Sequence, residues 1–423
     1  MIRNNVVLIT VDSLRADFVS CYPGALSDLT PNLDEFANRG VLFENALAQG
    51  PYTRASIPSL LTSTYPWKLP SGGNIGDRTT IATIFKDNGY NTAFFHSNPF
   101  LSKDSGYARG FDVFDDSLLP WNLSISQKHL KRVGRLFRLI RKTPYLPADN
   151  LVDKSISWLE DASEPFFLWV HLMDPHGPYQ RHGGGYLAKY HAEKLWKKAV
   201  SRPEEITSEE HDELVRTYCE EISYTDEQVS RILDFLNTEE NDLVVITADH
   251  GEEFGEHGDY SHNPKHFDEL LRVPLMVNFP ERRGDLITEQ VALLDLLPSL
   301  VEHLDLDKNE LDFDGRSFVP LLQGETQTGR KYVICQPGSD HICLRTKGWK
   351  YVVNKGEKSL YNLRKDPGEN LDVAKSRPEL TKKFNEVLLE RRDEYGHSEC
   401  FGEGCPSDFD EETRKRLEGL GYL

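Results

Sequence analysis

Leu243 to Lys265, LVVITADHGEEFGEHGDYSHNPK, is the stretch from which the rest of the chain can be read. Leu243 to Thr247 is a run of β-formers that stops at Asp249-His250-Gly251, and a cluster of His and Glu follows. A short apolar run bounded by polar turn residues reads as a fully buried parallel strand. Open α/β sheets bind ligands just past the carboxyl ends of such strands. Asp beside His at that place offers a hard oxygen and an imidazole nitrogen, the donor pair a Zn²⁺- or Mn²⁺-type cation takes. A lone strand-end Asp more often caps the next helix. The other strands decide.

They repeat the pattern. Val6 to Val11 runs into Asp12-Ser13, and Phe166 to Leu172 runs into Met173-Asp174-Pro175-His176-Gly177-Pro178. Val41 to Ala48 and Asn91 to Phe95 are further strand candidates. Between them lies a helix capped by Thr30, with Pro31 in its first turn, an apolar stripe of Leu33, Phe36 and Ala37, and Gly40 after it. Thr80 to Asn88 and Glu209 to Leu236 read as helices too. The alternation predicts an α/β fold, a doubly wound, mainly parallel sheet flanked by helices. Such a sheet brings Asp12, Asp174 with His176, and Asp249 with His250 to one edge. Several polar groups that are costly to bury then share that edge, which marks a site.

A chain of 423 residues divides into a large and a smaller domain. Residues 1–328 form the large one and 329–396 a small C-terminal α+β domain. The latter has short strands at Tyr332-Val333-Ile334 and Trp349 to Val353 and a helix from Glu379 to Tyr395. Residues 397–423 form a tail with one amphipathic helix. Leu123 to Lys142, basic and helical in pattern, and Tyr190 to Glu210 read as insertions over the ligand edge.

A net charge of −19 argues against a nucleic-acid partner, which needs a basic surface. No apolar run reaches the roughly 18–20 residues that span a bilayer, and MIRNN leads straight into the first strand. No membrane insertion and a cytoplasmic location are expected. The 6 cysteines form no CxxC pair, and Cys400 and Cys405, either side of a Gly-rich turn, read as reduced thiols. The oligomeric state is not legible.

Gly50 to Ser63, GPYTRASIPSLLTS, enters a helix with several hydroxyls in its first turn. A helix N-terminus suits a tetrahedral oxyanion, and a hydroxyl there becomes a nucleophile when a cation lowers its pKa. The commoner role of Thr53 or Ser56 is to cap the helix.

The markers NVVLITVDSLRAD (5–17), TPNLDEFANRGVLFENALA (30–48), LLTSTYP (60–66), GFDVFDD (110–116), FFLWVHLMDPHGPY (166–179), TADHGEEFGEHG (247–258) and LYNLRKDPGEN (360–370) occur in an order and spacing that are specific together. On them the chain resembles, nearly end to end, a sulfatase-type member of the alkaline phosphatase superfamily. The resemblance implies one divalent cation (Mn, Zn, Ca or Mg) on Asp12, Asp249 and His250. It implies that His176 meets the ester's anionic oxygens or leaving group, and that His262 is a second active-site His. His262 and Lys265 are expected to bind the charge of a small anionic ester, and Asp174 to hold a second cation or to orient its turn.

The chain departs from the sulfatase pattern at three points. Sulfatases convert the first residue of a Cys/Ser-x-Pro-x-Arg motif to formylglycine, and alignment back from LLTSTYP puts Thr53 there, with Ala55 for the proline and Ile57 for the arginine. Ser13 stands where a further acidic ligand is usual, and His96-Ser97-Asn98-Pro99 replaces a Lys-x-His pair. Thr cannot yield the aldehyde, so Thr53 is expected to act as an unmodified nucleophile, with Ser56 as the alternative. The expected reaction is hydrolysis of a phosphate, phosphonate or sulfate ester, phosphorus esters (phosphodiesters among them) favoured. A true sulfatase and a phosphoryl-group transferase are the alternatives.

Overall fold

The computed structural model describes residues 4–25, 29–117, 145–179, 182, 185–236, 242–279, 284–307 and 312–392. The basic segment 123–142 and the whole of the tail 397–423, with the Cys400/Cys405 pair, lie outside the described residues.

The strands are β1 (Asn5–Val11), β2 (Val41–Leu47), β3 (Asn91–His96), β4 (Val113–Asp115), β5 (Phe166–Leu172), β6 (Asp242–Ala248), β7 (Glu253–Phe254), β8 (Tyr260–Ser261), β9 (Arg272–Val273), β10 (Leu275–Val277) and β11 (Asp285–Ala292). A 9-stranded sheet runs β11-β2-β10-β6-β1-β5-β3-β4, with β9 paired to β2, and β7 and β8 form a separate ribbon. β10 is antiparallel to β2 and β6, and β9 to β2, while the other pairs are parallel. The expected α/β sheet is present.

The principal helices are α1 (Pro31–Arg39), α2 (Thr53–Thr62), α3 (Ile81–Asp87), α4 (Ala148–Asp161), α5 (Tyr186–Ser201), α6 (Ser208–Phe235), α7 (Leu296–His303) and α8 (Pro378–Arg392). α1, α4 and α5 pack on α6, whereas α2 meets α3 and α7. In α1 the stripe of Leu33, Phe36 and Ala37 is buried. α6 opens with a complete capping box between Thr207 and Glu210.

The centre of the sheet is dry. All seven residues of β1, β5 and β6 are buried, which is why these strands read as apolar runs rather than alternating ones. Phe94 stacks on Trp169 across β3 and β5 at 3.7 Å. Asn5 pins the register at the amino ends, donating to Asp242 Oδ1 at 2.8 Å and accepting from Phe166 N–H at 3.2 Å. Val11 therefore stands level with both Leu172 and Ala248. The polar residues after these three strands leave the sheet at one height.

The C-terminal sheet has four strands, β12 (Val333–Gly338), β13 (His341–Arg345), β14 (Lys350–Asn354) and β15 (Glu357–Tyr361), paired in that order. Sequence reading found β12 and β14 but missed β13, a short HICLR strand with His and Arg at its ends, and β15, EKSLY, whose Glu, Lys and Ser hide the alternation. At the seam with the large sheet, Lys350 Nζ lies 2.6 Å from Asp268 and 2.8 Å from Glu369, and Arg345 Nη2 lies 2.8 Å from Asp268.

Candidate active site

β1 delivers Asp12, β6 delivers Asp249 and His250, and α2, which follows β2, delivers Thr53. All four are buried. The Asp12 carboxylate is the hub. Its Oδ2 accepts from Thr53 Oγ1 at 3.3 Å and from Asn98 Nδ2 at 3.1 Å, while Oδ1 accepts from Ser13 Oγ at 3.1 Å and lies 3.3 Å from His250 Nε2. Asp249 Oδ1 accepts from the backbone N–H groups of Ser13 and His250 at 3.4 and 3.0 Å. Ser13 adopts φ 61, a left-handed conformation that turns the chain sharply after β1.

Thr53 is not a cap. The N-cap of α2 is Tyr52, without a side-chain cap bond, so the Thr53 hydroxyl is turned to Asp12 instead. Ser56 lies one turn further along α2, where its buried Oγ makes no hydrogen bond among the described residues.

His250 Nδ1 bonds the Gly251 carbonyl at 2.8 Å, so it must be the protonated nitrogen. Nε2 then faces Asp12 Oδ1 and Asp249 Oδ2, at 3.3 and 3.6 Å, and offers its lone pair whenever it is unprotonated. Neither Nε2 nor Asp249 Oδ2 makes a hydrogen bond among the described residues. Two buried oxygens and a nitrogen lone pair converging in this way suit a cation. Ligand atoms of Asp12, Asp249 and His171 also lie within 4.8 Å of one another. The donors therefore fit a divalent metal, with His171 as a further member.

The electrostatics agree. Burial and the neighbouring Asp12 charge push the Asp249 carboxyl up to about 6. Burial opposes ionisation of Asp12 too, but His176, His171 and His250 outweigh it and hold that carboxyl well below its ordinary value. Burial works against a charge on His250, yet Asp249 and Asp12 overcome it and raise the imidazole to about 9. Without a cation, a proton on His250 is what balances the two acids.

His176 and His262 complete this edge. Their rings stand 4.9 Å apart, and the His262 ring stands 4.6 Å from that of His250. Burial, chiefly, lowers His176 to about 4 and His262 to about 3. His176 Nδ1 bonds the Gly177 carbonyl, which leaves Nε2 as its working nitrogen. The indole of Trp196, on α5, seats against Gly177, where a β-carbon would lie 2.0 Å from Nε1. The Tyr190–Glu210 region is thus α5 with the start of α6, and α5 packs against the His176 turn.

Two expected residues are elsewhere. Lys265 Nζ is committed to Glu253 at 2.9 Å, Asp259 at 2.7 Å and the His257 carbonyl at 3.1 Å. It braces the β7–β8 ribbon. Asp174 accepts from Ala148 N–H at 2.8 Å and pairs with His182 at 3.0 Å, so its carboxylate is not among the Asp12 groups.

Three buried residues were missed. His171 is the penultimate residue of β5, with Nδ1 bonded to Thr10 Oγ1 at 2.8 Å and Nε2 3.4 Å from Asp12 Oδ2. Asn98 sits in the segment noted only as a departure. Glu252 Oε1 lies 3.4 Å from His262 Nδ1, and burial pushes its carboxyl up to about 7. A polar residue near the end of an apolar strand was the available signal for His171.

Residues 4–306 match the family model described as Sulfatase, and residues 255–394 the one described as N-sulphoglucosamine sulphohydrolase, C-terminal. The chain is similar to the uncharacterized sulfatase YidJ of Escherichia coli, at 25% identity over 93% of this chain and 88% of that protein. It is equally similar, at 25%, to the Ulvan-active sulfatase of Formosa agariphila, over 93% and 82%. Among solved structures, the phosphonate monoester hydrolase of Agrobacterium radiobacter shares the fold, with a TM-score of 0.73 and 22% identity over 93% of this chain and 96% of that one.

Proposed function

Because the chain belongs to the sulfatase family, ester hydrolases of the alkaline phosphatase superfamily, we propose that it is a metal-dependent hydrolase that favours phosphorus esters and uses Thr53 as its nucleophile. The observation that carries this reading is the Thr53 hydroxyl at the start of α2, 3.3 Å from Asp12 Oδ2, at the position that the resemblance assigns to formylglycine. Thr cannot be converted to that aldehyde, so a covalent intermediate here is a threonyl ester. A phosphothreonine ester is opened by water attacking phosphorus, whereas a sulfothreonine ester lacks the hemiacetal route by which formylglycine releases sulfate.

Asp12, Asp249 and His250 would hold the cation, with His171 beside them. When bound it supplies positive charge that favours the Thr53 alkoxide and neutralises the ester oxygens. The Thr53 oxygen attacks the central atom in line with the leaving oxygen, and its proton has the Asp12 carboxylate as the nearest acceptor. His176 and His262, neutral in the buried site, orient the ester oxygens. A substrate anion raises their basicity, so His176 Nε2 takes up a proton and passes it to the leaving oxygen. Arg54, next to Thr53 and stacked on Phe100 at 4.8 Å, makes no ion pair among the described residues. It takes the substrate-charge role that Lys265 does not.

The curated relatives reported above are named sulfatases, which favours a second reading in which the ester is a sulfate. Initial rates of wild type, Thr53→Ala and Ser56→Ala on an aryl sulfate, an aryl phosphate, a phosphate diester and a phosphonate monoester separate the two. The expected result is a preferred phosphorus ester and a loss of at least about a thousandfold in Thr53→Ala. Sulfate release that survives Thr53→Ala and disappears in Ser56→Ala overturns the reading.

A further inference from the structure

Asp174, His182 and Glu221 meet away from the site just described. Asp174 follows β5, Glu221 lies within α6, and His182 precedes α5. His182 Nε2 is 3.0 Å from Asp174 Oδ1 and 3.0 Å from Glu221 Oε2, and both acidic side chains are fully buried. One ligand atom from each residue lies within 4.8 Å of the other two. A single Nε2–H points along one direction and cannot serve two carboxylate oxygens equally well. A cation between the three atoms serves all of them. At metal–ligand distances of about 2.0–2.2 Å, adjacent ligand atoms around a tetrahedral ion stand roughly 3.3–3.6 Å apart, a small adjustment from the 3.0 Å between His182 and each acid.

The surroundings are those of a built site. The second oxygen of Asp174 is held by Ala148 N–H at 2.8 Å, which fixes the carboxylate's orientation. The His182 ring is stacked on Tyr224 at 3.5 Å. Thr225 Oγ1 bonds the carbonyls of both Asp174 and Glu221, at 3.1 and 2.9 Å, tying the turn to the helix.

We propose that Asp174, His182 and Glu221 bind a second divalent cation of the Zn²⁺ or Mn²⁺ class, structural in role and separate from the Asp12–Asp249–His250 group. One imidazole nitrogen with two carboxylate oxygens suits that class. The ion joins the β5 turn to α6 and to the chain leading into α5, and so holds the Pro175-His176-Gly177 segment in place.

The test is the number of Zn²⁺ ions retained per full-length chain, measured by native mass spectrometry after chelation and readdition of Zn²⁺ alone. An ion present in wild type, kept in Asp249→Asn and lost in both His182→Ala and Glu221→Gln is the expected result. Equal Zn²⁺ retention in wild type and His182→Ala overturns the proposal. Crystals of Zn²⁺-loaded wild type give a second measurement should the variants fail to fold. An anomalous peak between the three side chains supports the site, and its absence there rejects it. The outcome does not depend on which ester is hydrolysed.

Discussion

Two buried charge clusters in this molecule are built on opposite principles. At the seam between the two sheets, Arg345 and Lys350 meet Asp268 and Glu369, and the cationic and acidic charges balance. At the ligand edge, Asp12 and Asp249 face the Nε2 atom of His250, and two of the converging atoms make no hydrogen bond among the described residues. Burial of charge is tolerated in the first case because every partner is protein. In the second, the positive side of the balance is the place of the cation proposed above. A matched cluster holds a fold together, and an unmatched one is free to do chemistry.

The largest effect expected on stability comes from breaking the matched cluster. Lys350→Met strands the fully buried Glu369 and weakens Asp268's pairing, so denaturant unfolding should show a loss of about 3–5 kcal/mol. At the ligand edge, adding a divalent cation at 100 times its Kd should stabilise wild type by about 2.7 kcal/mol, and chelation should remove it. Asp249→Asn should abolish most of that gain. In chelated protein the same variant should be more stable than wild type, by about 1 kcal/mol, because like charges no longer face each other. A chelated Asp249→Asn that is less stable than chelated wild type would erase the distinction between the clusters.

The smallest effect concerns acid. Burial raises the Asp268 carboxyl, but Arg345 and Lys350 outweigh it and hold the group well below the ordinary carboxylate range. A depressed folded-state pKa stabilises above the unfolded value and is lost as pH falls toward the folded one. The stability gap between wild type and Asp268→Asn should therefore be full at neutral pH and begin to close below about pH 4. A gap that is unchanged at pH 3 would show that Asp268 acts through packing and not through charge.

How much of this was legible depended on where each residue sits relative to a strand. Asp12, Asp249 and His250 follow dry, uninterrupted apolar runs, and the parallel register carries them to one height. Thr53 was singled out because the hydroxyls at the start of α2 and the family's spacing pointed to the same place. The partners of Lys265 and Asp174, Glu253, Asp259 and His182, were not legible because they come from contacts that spacing does not encode. His171 was overlooked because it lies inside the strand, where an imidazole looks like one more buried ring. β15 was hidden because a strand largely exposed to solvent admits Glu, Lys and Ser, and β13 because its five residues begin and end on the buried polar His341 and Arg345.

The strand order β6-β1-β5-β3 has a kinetic consequence. Asp12, Asn98, His171 and His250 lie far apart along the chain and become neighbours only when these four strands have paired. Long-range pairings of this kind form late, after the loops between them have closed. No fragment or half-folded intermediate can assemble the ligand edge. Recovery of cation binding during refolding should therefore lag behind recovery of helical signal, and a nascent chain acquires its hydrolytic site only after residue 250 has been synthesised.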